Sequence, residues 1–193
     1  GTARDAAIGI VCDTGDTDDA AIVYWDVSAA EISIKDYDNS GNSWSETSVA
    51  TPMLSSTSLR QWGAKTRFSD GHTILAAWSQ ADNAASDLKV FDLTVTSSPS
   101  VSTLTDVITD TAEAVCAGVF VDPNTHDIYV AYAIGTSYPS QLHVSYKKST
   151  DGGSTWGGET TYSEDAEDDI RGVYGGACGT AGGRFQPLYF NDD

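Results

Sequence analysis

Three arginines and one glutamate form the pattern with the most chemistry in it. Counting back nine or ten residues from Asp13, Asp70, Asp122 and Thr180 reaches Arg4, Arg60, Glu113 and Arg171. The chain has only five arginines, so three at one interval is a bias that a neutral surface would not readily give. A planar guanidinium grips a carboxylate through two charge-assisted hydrogen bonds, and several of them converging make a clamp for an anionic ligand. The competing role for the same residues is an ion pair with Asp5, Asp168 or Asp169 on a surface, where such pairs contribute little.

The remaining candidates are weaker. The loop Asp13-Thr14-Gly15-Asp16-Thr17-Asp18-Asp19 offers hard oxygen ligands of the kind Ca²⁺ takes, but it lacks the spacing and closing Glu of an EF-hand, so a solvated hairpin is expected. The acidic run from Ser163 to Asp169 reads the same way, as a linker. His72, His126 and His143 are too scattered for a metal trio, and Cys12, Cys116 and Cys178 sit in apolar runs without ligand spacing. No metal or other cofactor is therefore expected. Trp62 and Tyr138 could stack on sugar rings or pack between sheets.

The elements that must position these residues follow from a repeat. The segments AAIVYWD (from Ala20), TILAAWS (from Thr73), DIYVAYA (from Asp127) and FQPLYFN (from Phe185) carry Trp25, Trp78, Tyr132 and Tyr189 at intervals of 53 to 57 residues. Alternating segments follow at Glu31, Asp87 and Gln141. The runs IGIVCD, KTRFSD and AGVFVD, ending at Asp13, Asp70 and Asp122, precede them. Strand, hairpin, strand, hairpin, strand, loop and outer strand every fifty or so residues describe one blade of a β-propeller.

The expectation is an all-β chain, a β-propeller of four-stranded antiparallel blades, with about three and a half of them present. The blades are set at about 6–50, 64–108, 114–163 and 172–193, in one partial domain. An open arc exposes a sheet face at each end, so a second chain or a second half is expected to complete a six- or seven-bladed ring. A sandwich is the alternative closure.

Ser149-Thr150-Asp151-Gly152-Gly153-Ser154-Thr155-Trp156 resembles the Asp box, S-x-D-x-G-x-T-W, of the sialidase-like (BNR repeat) propellers. A worn copy stands at Asp38-Asn39-Ser40-Gly41-Asn42-Ser43-Trp44, with Asn39 in place of the Asp; the second repeat keeps only Ser97-Ser98-Pro99-Ser100. The box is a structural turn, its Asp and Ser bonding locally and its Trp packing between sheets. The resemblance implies that Arg4, Arg60 and Arg171 hold a sugar carboxylate at the channel mouth, with Glu113 supporting Tyr174 as a nucleophile. The Arg-Ile-Pro opening of many sialidases is absent, and no general-acid Asp matches a motif.

The net charge of −18 and a pI near 4.1 argue against nucleic acid, which needs clustered Lys and Arg. No stretch is long and apolar enough to span a membrane as a helix. The chain opens at Gly1 without Met or a hydrophobic leader, which reads as a processed or excised chain. Two functions follow. One is a sialidase-like propeller that binds, and as an exo-sialidase type of glycoside hydrolase would cleave, acidic glycans or sialoglycoconjugates, extracellular or on a virion surface. The other is a non-catalytic adhesion, receptor-binding or assembly module.

Overall fold

In a computed structural model of the chain, alternation of β-branched and aromatic residues with polar ones gives fourteen strands and no helix among the described residues. It describes residues 6–12, 20–26, 31–50, 59–66, 72–79, 88–94, 100–103, 113–137, 140–163, 170–178 and 184–191. The first sheet is an antiparallel meander of β1 (Ala6–Cys12), β2 (Ala20–Asp26), β3 (Glu31–Asp38) and β4 (Ser43–Ala50). The second repeats it with β5 (Leu59–Thr66), β6 (Thr73–Ser79), β7 (Leu88–Thr94) and β8 (Ser100–Thr103). The third uses β9 (Glu113–Val121), β10 (Ile128–Ser137), β11 (Ser140–Ser149) and β12 (Thr160–Ser163), and β13 (Ile170–Cys178) pairs with β14 (Arg184–Asn191). The expected all-β, antiparallel architecture is observed.

Side chains on a strand alternate between faces, so buried neighbours in sequence mean that both faces are covered. Ile74, Leu75 and Ala76 are all fully buried, as are Val130, Ala131, Tyr132 and Ala133, and Val90 and Phe91 are within one per cent of it. The cover comes from successive sheets: β9 packs against β5, β6 and β7, and β13 packs against β9, β10 and β11. Each large core side chain buried this way contributes about 1.5–3 kcal/mol, and small Ala76, Ala131 and Ala133 let the layers approach.

The turn between β9 and β10 shows how an Asp ends an apolar run. Asp122 Oδ1 accepts the amides of Asn124 (2.8 Å) and Thr125 (3.2 Å), while its carbonyl accepts that of His126, which has φ of 62°. The Asn124 amide chiefly holds the Asp122 carboxyl below its ordinary value, against the opposing pull of burial. Asp13 and Asp70, at the matching places in the sequence, lie outside the described residues.

Candidate functional site

Arg60 is the second residue of β5 and Arg171 the second of β13. Leu59 faces Ser79 and Gln61 faces Trp78, so Arg60 is the extra residue of a β-bulge. Arg171 is likewise the extra residue between Ile170, opposite Asn191, and Gly172, opposite Phe190. Bulges bend a strand and re-aim a side chain, and they are over-represented beside active sites. Glu113 opens β9, the strand that lies against both β5 and β13, and its backbone faces Gly135. Tyr174 stands opposite Leu188 on β13. These four are placed here by backbone position. Arg4, Tyr138, the Asp13–Asp19 loop and the acidic run 164–169 lie outside the described residues. Trp62 and the three cysteines fall within β5, β1, β9 and β13.

The Asp box between β11 and β12 is a closed network. Ser149 Oγ accepts the amide of Gly153 at 2.8 Å and donates to Asp151 Oδ1 at 2.8 Å. Asp151 also receives the Thr155 amide at 2.8 Å and the Thr155 hydroxyl at 2.6 Å. Gly152 and Gly153, with φ of 73° and 93°, make the left-handed turn that brings these groups together. These bonds stay within residues 149–155, so the box fastens its own turn. Trp156 is only half-buried, with its Nε1 enclosed and without a hydrogen-bond partner.

This network sets an acid limit. The Thr155 hydroxyl and amide, then Ser149, hold the Asp151 carboxyl down at about 2. A carboxyl depressed on folding stabilises above its unfolded value, near 3.9, and loses that contribution as pH falls through the folded one. Asp151→Asn is therefore expected to unfold at lower temperature than the wild type at pH 7, with the gap closing between about pH 4 and pH 2. Thermal melts across that range check it; a gap constant with pH would show that charge on Asp151 is immaterial.

The worn copy between β3 and β4 departs from expectation. Asp38, not the residue at the place of Asp151, organises it: Asp38 Oδ1 accepts the Ser40 hydroxyl at 2.7 Å and the Gly41 amide at 3.0 Å. These two bonds, Ser40 first, hold its carboxyl below the ordinary value. The carboxylate that bonds the turn thus stands one residue before Asn39, which occupies the place of Asp151. A β-carbon on Gly41 would meet Asp38 Oδ2 at 2.6 Å, so a larger residue there would have to displace the carboxylate that organises the turn. Trp44 does not pack between sheets as the box predicts; it is 53% exposed.

A tie that the sequence does not reveal spans the third sheet. Tyr132 faces Ser145 across β10 and β11. The Tyr132 hydroxyl donates to Glu159 Oε2 at 2.8 Å, and the Ser145 hydroxyl to Glu159 Oε1 at 3.2 Å. His143 Nε2 lies 3.9 Å from the same carboxylate. The first sheet repeats the trio: Tyr24 faces Ser33, and its hydroxyl bonds Glu46 and Ser33. Burial, then the Glu46 bond, pushes Tyr24 up to about 12. A nucleophilic phenol needs the opposite shift and an open approach, whereas Tyr132 has no exposed surface. The trio ties the sheet together, and the sealed Tyr132 is not placed to act as a nucleophile.

Two further pairs join strands. His72 Nδ1 lies 2.8 Å from Asp92 Oδ1, and Lys148 Nζ bonds Asp127 Oδ2 at 2.6 Å above the Tyr129 ring. Among the described residues no group of three His, Cys, Asp or Glu side chains could hold a metal ion.

No family model and no curated protein matches the chain. Among solved structures it is similar to a GH43 β-1,3-galactosidase, with 12% identity and a TM-score of 0.45 over 89% of this chain and 37% of that one. The chain thus spans little more than a third of that enzyme's length, and at this distance the likeness assigns neither fold nor function.

Proposed function

We propose that this chain forms consecutive blades of a sialidase-like β-propeller and binds acidic glycans at the channel mouth, Arg60 and Arg171, joined by Arg4, holding the sugar carboxylate. One observation carries the reading: both arginines are second in their strand and both are the extra residue of a bulge, on strands that flank β9. Chance placement of scarce arginines gives no reason for that coincidence, while convergence on a shared anion does. Glu113, opening the strand between them, would balance the guanidinium charge, and in a hydrolase it would support Tyr174. A second chain or second half completes the ring, and the setting is extracellular.

Binding and turnover separate in experiment. Each of Arg60→Ala and Arg171→Ala should weaken binding of a sialylated or uronic-acid glycan about tenfold to a hundredfold, the effect of losing about 1.5–3 kcal/mol of charged hydrogen bonding. Arg184→Ala serves as the control. Calorimetric titration reads the loss, and a fluorogenic sialoside compared with Tyr174→Phe reads turnover. If neither arginine variant alters binding, the clamp is abandoned in favour of a non-catalytic adhesion or assembly module.

A further inference from the structure

Among the described residues the exposed large apolar side chains are Trp44 and Tyr162. Trp44 stands in register with Tyr37 across the β3–β4 hairpin, their ring centroids 5.0 Å apart at 44°. The Tyr37 hydroxyl donates to Asn42 Oδ1 at 2.9 Å, fixing a residue whose φ is 48°. The Asp38 bonds to Ser40 and Gly41 hold the other side of the turn. An exposed indole is thus mounted on a hairpin already braced, so a ligand pays little ordering entropy to use it.

The surroundings select the ligand. Residues 39–46 are all exposed, and apart from Trp44 they are polar or glycine. A stable protein interface buries about 800 Å² per partner around an apolar centre, which two rings among polar groups do not offer. A pyranose has an apolar C–H face about the size of one indole and hydroxyls around its edge. Asn42, held by the Tyr37 hydroxyl on the same side as the ring pair, supplies an amide donor at that edge. Lys35 and Glu46, paired at 3.6 Å on the same face as Trp44, offset each other's charge beside the platform, which favours a neutral sugar.

We propose that the β3–β4 hairpin tip is a saccharide-stacking platform on which Trp44, backed by Tyr37, takes the C–H face of a neutral pyranose while the Asn42 amide meets a hydroxyl at its edge. The site is separate from the arginine positions and does not depend on them.

The test is a titration of the full chain, labelled with ¹⁵N at the indoles, with methyl β-galactopyranoside, methyl β-glucopyranoside and their β-linked tetrasaccharides. Trp44→Phe assigns the Trp44 resonance by its loss. That resonance should shift saturably with at least one neutral sugar. Trp44→Ala should weaken binding about tenfold, with Trp44→Phe keeping most of it and both retaining wild-type far-ultraviolet dichroism. The Arg60→Ala/Arg171→Ala double variant should leave the Trp44 response unchanged, so failure of the acidic-glycan reading is seen separately. No Trp44 shift with sugars on the order of 10 mM, or a shift that follows protein concentration instead, overturns the proposal; the latter outcome would make the tip a self-association surface.

Discussion

Tyr132→Ala is expected to destabilise the protein by about 3–5 kcal/mol, the usual cost of deleting a fully buried aromatic ring. The ring has no exposed surface, and its loss opens a cavity between β10 and the packed layers around it. Two polar groups also lose their anchor, because Glu159 and Ser145 are tied through the same carboxylate. Tyr132→Phe keeps the ring and removes only the hydroxyl, and should cost about 1–2 kcal/mol. Urea unfolding separates the two through the midpoint, with the slope unchanged. If Tyr132→Ala lies within about 1 kcal/mol of the wild type, the third sheet is not packed as described.

Gly153→Ala carries the second large effect, about 1–3 kcal/mol, because an L side chain is strained at a φ of 93°. The buried amide of Gly153 that Ser149 accepts would be pulled from its place as the backbone relaxed. For a chain of this length each kcal/mol lowers the melting temperature by about 2–4 °C. Gly158→Ala is the matched control, since a β-carbon there meets nothing within 4 Å. Equal melting temperatures for the two variants would show that the left-handed turn contributes nothing.

The elements were legible because strands leave a period-two trace and turns leave Gly, Asn and Asp. Trp78 and Tyr132 fall in second strands, β6 and β10, as the repeat expected. In the first sheet the repeat aligns Trp25 with Tyr132, but the residue that makes the matching bond to a Glu is Tyr24. One residue of offset exchanges the two faces of a strand, and aromatic spacing alone does not see it. The Tyr-Ser-Glu trio was hidden for a related reason. Its members stand 9 to 27 residues apart, and the strand register that sets Tyr opposite Ser is not visible in the sequence. At the turn of Asp38 the bonding carboxylate stands one position earlier than in the box, which a linear motif does not encode. The arginine interval was visible, but the bulges that set Arg60 and Arg171 apart from their neighbours depend on cross-strand pairing.

The trio on the third sheet reaches from β10 through β11 to the lip of β12, which is only four residues long and lies at the sheet's edge. Three paired positions of ladder hold so short a strand weakly by themselves. With Glu159 fastened to a phenol that is sealed in the core, peeling the edge away first requires disturbing the interior. The edge and the core therefore open as one cooperative unit. Amide hydrogens of Thr160 and Thr161 should exchange with solvent at rates close to those of β10, rather than at the rates of a fraying end.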